Sequence, residues 1–188
     1  MRLFGLFFLG FFLLTTALEA AGPPWRLRFV APRSETGTLQ LDQQDPEDAS
    51  QSSGKGFSLL FGNGFGFGIS NMQTDGSVAG NPVSVSADSF DVSYTLGERW
   101  SLTLGVGTIT AGESMLWQNG AVYATGNVEG KTALGLLGLP FLGGELLVGM
   151  RGDEVEYRGY RSSASPNPIG TVITAATRQV LIGFGLFF

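Results

Sequence analysis

Residues 180–188 read Val-Leu-Ile-Gly-Phe-Gly-Leu-Phe-Phe. Val180, Ile182, Phe184, Leu186 and Phe188 fall at every second position, the period of one face of a β-strand. Leu181, Gly183, Gly185 and Phe187 lie between them. The segment predicts a strand with a continuous apolar stripe on one side and a smaller face on the other. A stripe that stays apolar to Phe188 needs an apolar surrounding along its whole length, and lipid supplies one.

The opposite end of the chain points to export. Arg2 precedes an apolar run over 3–14, and small residues follow at Thr15, Thr16, Ala17, Ala20 and Ala21. This order predicts a signal peptide over 1–21. The rival is a membrane helix, but spanning hydrocarbon takes about 20 apolar residues, and this run breaks at Thr15. The remainder, 22–188, is enough for one domain.

Composition removes several function classes. The chain has no cysteine and no histidine, which excludes disulfides, thiolate chemistry, Ser-His-Asp hydrolysis and histidine metal sites. Neither Lys55 nor Lys131 sits in a Ser-Lys catalytic motif, so no enzyme and no cofactor is expected. A net charge of −5 speaks against nucleic acid. Charged residues are only 14%, against about 25% in an average domain. The 29 glycines have no collagen period, and Gly62, Gly64, Gly66 and Gly68 alternate as they would along a strand.

Two dipeptides, Asp75-Gly76 and Asn119-Gly120, carry the signature of two-residue hairpin turns. A fold about Asn119-Gly120 sets Arg99 opposite Pro140. A fold about Asp75-Gly76 sets Phe57 opposite Tyr94, Leu59 opposite Val92 and Phe61 opposite Phe90, so the apolar residues share a face. A third hairpin runs from about Glu145 to Phe188 and turns near Ser165–Pro168. Gly97-Glu98 and 141–144 make short links between hairpins. Six strands follow, with tight turns at one end and long excursions at the other, as outer-membrane barrels have. Two more are expected between Trp25 and Asp42, one at Trp25–Phe29 and one at Thr38–Leu41. The acidic stretch 42–55 is then a polar linker or periplasmic turn. A change of apolar phase near Asp88-Ser89 predicts a bulge or the membrane boundary.

The terminal stripe resembles the last strand of bacterial outer-membrane β-barrels, which end in an aromatic residue read by the assembly machinery. The stretch 21–39, AGPPWRLRFVAPRSETGTL, resembles the start of OmpW-type small barrels, within the OmpW/OmpA-like superfamily. The resemblance implies an all-β fold: a closed antiparallel transmembrane barrel of eight strands in the outer membrane of a Gram-negative cell. It makes Phe184, Leu186 and Phe188 the assembly signal. It also implies the barrel assembly machinery, outer-membrane lipid and lipopolysaccharide as partners.

Strand phase assigns the inside. Gly62, Gly64, Gly66, Gly105 and Gly183 should line the lumen with the charged residues Asp91, Glu145 and Arg151. Arg26, Arg28 and Asp153 also point inward, and buried charges in a barrel pair with one another. Leu104 should face lipid. Met115, Trp117 and Tyr123 should stand above the membrane as an extracellular contact. Two functions fit. One is a narrow, porin-like channel or carrier for a small, mostly apolar solute. The other is a non-conducting structural or surface-interaction barrel whose extracellular hairpins bind a partner.

Overall fold

The computed structural model describes residues 25–49, 51–61, 64–97, 100–162 and 167–188; the expected signal peptide lies outside them. Eight long strands make the wall: β1 (Trp25–Leu41), β2 (Gln51–Phe61), β3 (Phe65–Val78), β4 (Asn81–Leu96), β5 (Ser101–Gln118), β6 (Asn127–Phe141), β7 (Gly144–Arg158) and β8 (Val172–Phe187). Each pairs antiparallel with the next, and β8 pairs with β1 from Arg26↔Phe187 to Leu41↔Ile173. The ring is closed, so no edge meets lipid, which could not hydrogen-bond it. Three short strands, Glu47–Asp48, Ala121–Thr125 and Arg161–Ser162, pair at the long-loop end.

The strand count holds, but its division along the chain differs from the sequence reading in three places. Residues 25–41 form one strand with a bulge between Pro32 and Ser34. The alternating glycines do not lie in one strand: β2 and β3 pair as Leu60↔Gly66, and the chain turns between them with Gly64 at φ 84. The second hairpin turns at Ala79-Gly80, where φ is 49 and 74, while Asp75 lies inside β3 opposite Ser84. The partners of Tyr94, Val92 and Phe90 are Phe65, Phe67 and Ile69, eight residues beyond those expected. An even shift leaves every side chain on its original face, so the same-face test could not detect it.

Other expectations hold. Asn119-Gly120 is a turn with both φ positive, and Ser101↔Gly138 keeps the predicted register. Phe141 pairs with Gly144 across a Leu142-Gly143 turn. The acidic stretch does not lie at the short-turn end that holds Trp25 and Phe188: 42–49 follow β1 at the long-loop end, and 51–55 belong to β2.

The side chains fall into two tiers with opposite polarity. In the lower tier the outer surface is apolar: Phe67, Ile69, Leu104, Val106, Val148, Met150, Ile182 and Phe184 are all exposed. Rings lock this surface, with Phe29 stacked on Phe184 at 5.2 Å and Phe67 on Phe90 at 5.8 Å. Trp25, Trp100, Phe141 and Phe188 ring the short-turn end, as an interfacial aromatic girdle does. The interior there carries the charged and hydroxyl side chains, with Leu60, Leu136, Leu147 and Leu181 buried among them. β4 shows the reversal within one strand. Its odd positions point inward throughout: Val83, Val85 and Ala87 in the upper tier, then Ser89, Asp91, Ser93 and Thr95 in the lower. The strand keeps its phase; what changes near Asp88 is the surrounding medium. The bulge belongs to β5, which spends an extra residue at Thr110 between Ala111↔Asp88 and Ile109↔Ser89.

Candidate functional site

The lumen of the lower tier holds the six inward charges read from the sequence, and they separate into two clusters. Near the short-turn end, the Arg28 guanidinium is fully buried. It donates to both Glu145 oxygens, to Ser101 Oγ at 3.0 Å and to Thr95 Oγ1 at 3.2 Å, and it also contacts Thr103. Arg26 lies 3.7 Å from the same carboxylate and covers the Phe187 ring. Higher up, Arg151 donates to both Asp91 oxygens, to Asp153 Oδ1 at 2.7 Å and to Ser89 Oγ at 2.6 Å. Thr132 donates to Asp91, and Thr177 donates to Asp153 at 3.1 Å. Three guanidinium groups thus meet three carboxylates, most with hydroxyl support. Desolvation makes an unpaired charge here very costly.

The inward glycines do not leave an open bore. A Cβ on Gly105 would lie 3.0 Å from Leu134, one on Gly66 would lie 2.8 Å from Leu60, and one on Gly185 would lie 2.7 Å from Glu145. Gly183 abuts the Phe29 carbonyl. Gly66, Gly105 and Gly185 each make room for the large side chain directly opposite or beside them in the ladder, and Gly183 for the neighbouring backbone. Among the described residues, a lumenal cavity of about 30 Å³ lies beside Asp91, Ser93, Thr103, Arg151 and Gln179. That is space for about two waters.

Above the ion pairs the interior becomes an apolar core. Leu39, Val78, Val83, Val85, Leu116, Val155, Tyr157, Tyr160, Ile173 and Ala175 cluster there, each at most 2% exposed. Tyr157 Oη donates to the Ser86 carbonyl at 2.9 Å, and Tyr160 Oη donates to Ser114 Oγ at 2.7 Å. Burial pushes both phenol pKa values up. The connections at this end are tied to one another: Glu47 accepts from the Ala79 N–H at 2.6 Å, and Asp42 accepts from the Val172 N–H at 2.8 Å. The upper tier is therefore a water-facing lobe with its own core, set on top of the lumen.

Most of the predicted site residues fall where phase placed them. Asp91, Glu145 and Arg151 are buried in the lumen, Gly66 and Gly105 line it, and Gly183 lies in its wall. Gly62 lies outside the described residues. Gly64 is a correction: it sits in the β2–β3 turn and does not line the lumen. Phe184, Leu186 and Phe188 face outward, at 44–66% exposure. Met115 and Trp117 are exposed on the lobe. Tyr123 does not join them: it is opposite Leu116 in the ladder and packs against the lobe core. Sequence reading missed Tyr160, held between chain segments with no period of their own. Val122, which the outer ribbon also carries in the sequence, is exposed opposite Trp117. Sequence reading also missed Arg161, on the same face through its ladder partner Ala124.

No family model matches the sequence, and no curated protein matches it. Among solved structures the chain is similar to Neisserial surface protein A, with 9% identity, a TM-score of 0.57, and coverage of 88% of this chain and 97% of that one. It is also similar to Ail, the attachment invasion locus protein of Yersinia pestis, with 10% identity, a TM-score of 0.54, and coverage of 87% and 99%. At such identities the likeness shows the fold alone: a small outer-membrane β-barrel of eight strands.

Proposed function

We propose that this chain is a non-conducting, non-catalytic surface protein of the bacterial outer membrane, in which the lower tier is an anchor and the upper lobe makes contacts. The observation that carries this reading is the apolar core above the lumen. A solute following the barrel axis would have to displace two ion-pair clusters and then separate a packed core that includes Tyr157, Tyr160 and Leu116. The lobe, by contrast, presents exposed apolar groups to water at Met115, Trp117 and Val122, which is how contact surfaces are marked. The competing reading, a narrow channel or carrier for small apolar solutes, needs a continuous path, and the small size of the cavity beside Arg151, about 30 Å³, supports the non-conducting reading over it. Purified protein in planar bilayers should give no discrete conductance steps, and liposomes carrying it should take up a small apolar compound no faster than empty ones. Defined steps or accelerated uptake would reverse the choice.

The apolar outer surface of β8 supports a role in assembly, with the barrel assembly machinery reading Phe184, Leu186 and Phe188, and with lipid and lipopolysaccharide surrounding the belt. Deleting Phe188 should reduce the heat-modifiable, inserted fraction in cells. Wild-type yield from that deletion would remove the terminal signal from the proposal.

A further inference from the structure

The outward side chains locate the upper edge of the lipid belt. One row of ladder partners leaves β1 at Phe29, crosses Ile69 and Phe90, and returns to β1 at Thr38, nearer the lobe. It climbs because barrel strands tilt. The row is apolar as far as Phe90 on β4 and turns polar at Thr108 on β5, where Lys131 and Glu154 follow, paired at 2.9 Å. It therefore leaves hydrocarbon between β4 and β5. The row beneath it, Val106, Ala133, Gly152 and Arg178, leaves later, at Arg178 on β8. A trough of about 910 Å³ follows the two rows, with Val106 at its hydrocarbon end, Lys131 and Arg178 on its flanks and Asp48 at its lobe end. Gly152 keeps it open. A Cβ there would meet nothing nearer than the Thr177 carbonyl at 3.8 Å, and its φ is not positive, so neither packing nor backbone demands a glycine. Gly135, the next outward residue below Ala133, prolongs the hollow into the belt between Leu104 and Met150.

Lys131 is neutralised by Glu154. Arg178 is not: it is exposed, and among the described residues it has no ion-pair partner. A free guanidinium at the edge of hydrocarbon, above an apolar hollow, is complementary to a molecule with an anionic head and a hydrocarbon tail. The guanidinium fork matches phosphate oxygens in particular. We infer that the trough seats one phosphorylated lipid of the outer leaflet. Its phosphate lies on Arg178, and one acyl chain runs down over Gly152, Ala133 and Gly135 beside Val106 and Leu104. The carboxylates of the trough do not oppose this placement. Glu154 is engaged by Lys131, and Asp48 lies beyond Thr38 at the lobe end. The seat rests on reading the lower tier as a membrane anchor, and it gives that anchor a chosen neighbour at its outer edge.

The test places the membrane-assembled protein in phosphatidylcholine vesicles that contain a minor fraction of diphosphoryl lipid A. Barrels released in mild detergent are then weighed by native mass spectrometry. Wild type should retain one lipid A, and should retain the phosphate-free form about tenfold less, the factor set by one lost charge-assisted contact. Arg178→Gln should cut retention of the diphosphoryl form by a similar factor. Gly152→Leu should cut it too, by filling the hollow with every charge in place. Lys55→Gln removes an exposed cation on β2 that is no part of the trough, and should change nothing. Heat-modifiability shows that each variant is inserted. Retention that survives both Arg178→Gln and Gly152→Leu, or that falls equally with Lys55→Gln, would overturn the seat. A second copy of the chain in place of the lipid would overturn it as well. Wild type that inserts yet carries no lipid loses the seat alone, whereas wild type that enters no vesicle loses the anchor reading itself.

Discussion

Glu145→Gln should lower the unfolding free energy of the barrel in lipid vesicles by about 3–5 kcal/mol, the usual cost of breaking a buried ion pair from one side. The substitution preserves the shape of the side chain and removes only its charge. Glu145 is 4% exposed and, among the described residues, is the one carboxylate paired with both Arg26 and Arg28. Without it, two guanidinium groups remain in a space closed to bulk water, and the hydroxyls of Ser101, Thr95 and Thr103 supply only neutral acceptors. Removing the ion pair from both sides, as Arg28→Met with Glu145→Leu, should cost less than Glu145→Gln alone, because the most deeply buried cation leaves with its partner. Urea titrations of vesicle-inserted protein measure all three. A single variant within about 1 kcal/mol of wild type would mean that water already screens the cluster, and the sealed-anchor reading would lose its lower barrier.

The cluster was legible because strand phase is a strong signal where one face must meet lipid. Alternation at Trp25 to Phe29, at Phe57 to Ile69 and along β8 fixed which residues point inward, and the six charges followed from phase alone. Phase says nothing about which strands are neighbours. Phe57 and Phe65 both sit on odd positions, so a turn between them left the pattern unbroken, and the Gly-Asn-Gly at 62–64 read as strand. The Asp75-Gly76 signal failed for a related reason. Turn preference is worth little beside a full ladder, and the ladder places Ala79 in the left-handed region, at φ 49. Setting Phe65 against Tyr94 and Phe67 against Val92 outweighs that local cost.

The two-tier arrangement was less legible, although its trace was present. Val83, Val85 and Ala87 are odd and apolar, whereas Phe90, Val92 and Tyr94 are even and apolar. A single hydrophobic environment can explain this only by a slip in the chain. Two environments explain it without one: lipid outside the lower tier and a protein core inside the upper. The apolar side of the strand moves because the dry side moves. The same logic accounts for the Tyr123 error. In the upper tier an aromatic residue tends to point inward, and the ladder sends Trp117, not Tyr123, to the outside.

If the upper tier owes its order to that core, Tyr157→Ala should cost about 3–5 kcal/mol, as truncation of a fully buried aromatic does. Tyr157 is 0% exposed, touches the cluster through its ring and satisfies the Ser86 carbonyl through its hydroxyl. The loss should be local. Amide hydrogen exchange should quicken in the outer halves of β4, β5 and β7, while the lower tier, held by its ion pairs and lipid face, stays protected. Alkali should act on the same lobe. Burial raises the Tyr157 and Tyr160 phenols above the ordinary value of 10.0, so the folded lobe keeps them neutral where an unfolded one would ionise them. Their contribution is intact below about pH 10 and declines as pH rises beyond it. Tyrosinate absorbance and hydrogen exchange across that range report the two events together. Should Tyr157→Ala leave exchange in the lobe unchanged, the apolar cluster is not a cooperative core, and the seal above the lumen would have to lie elsewhere.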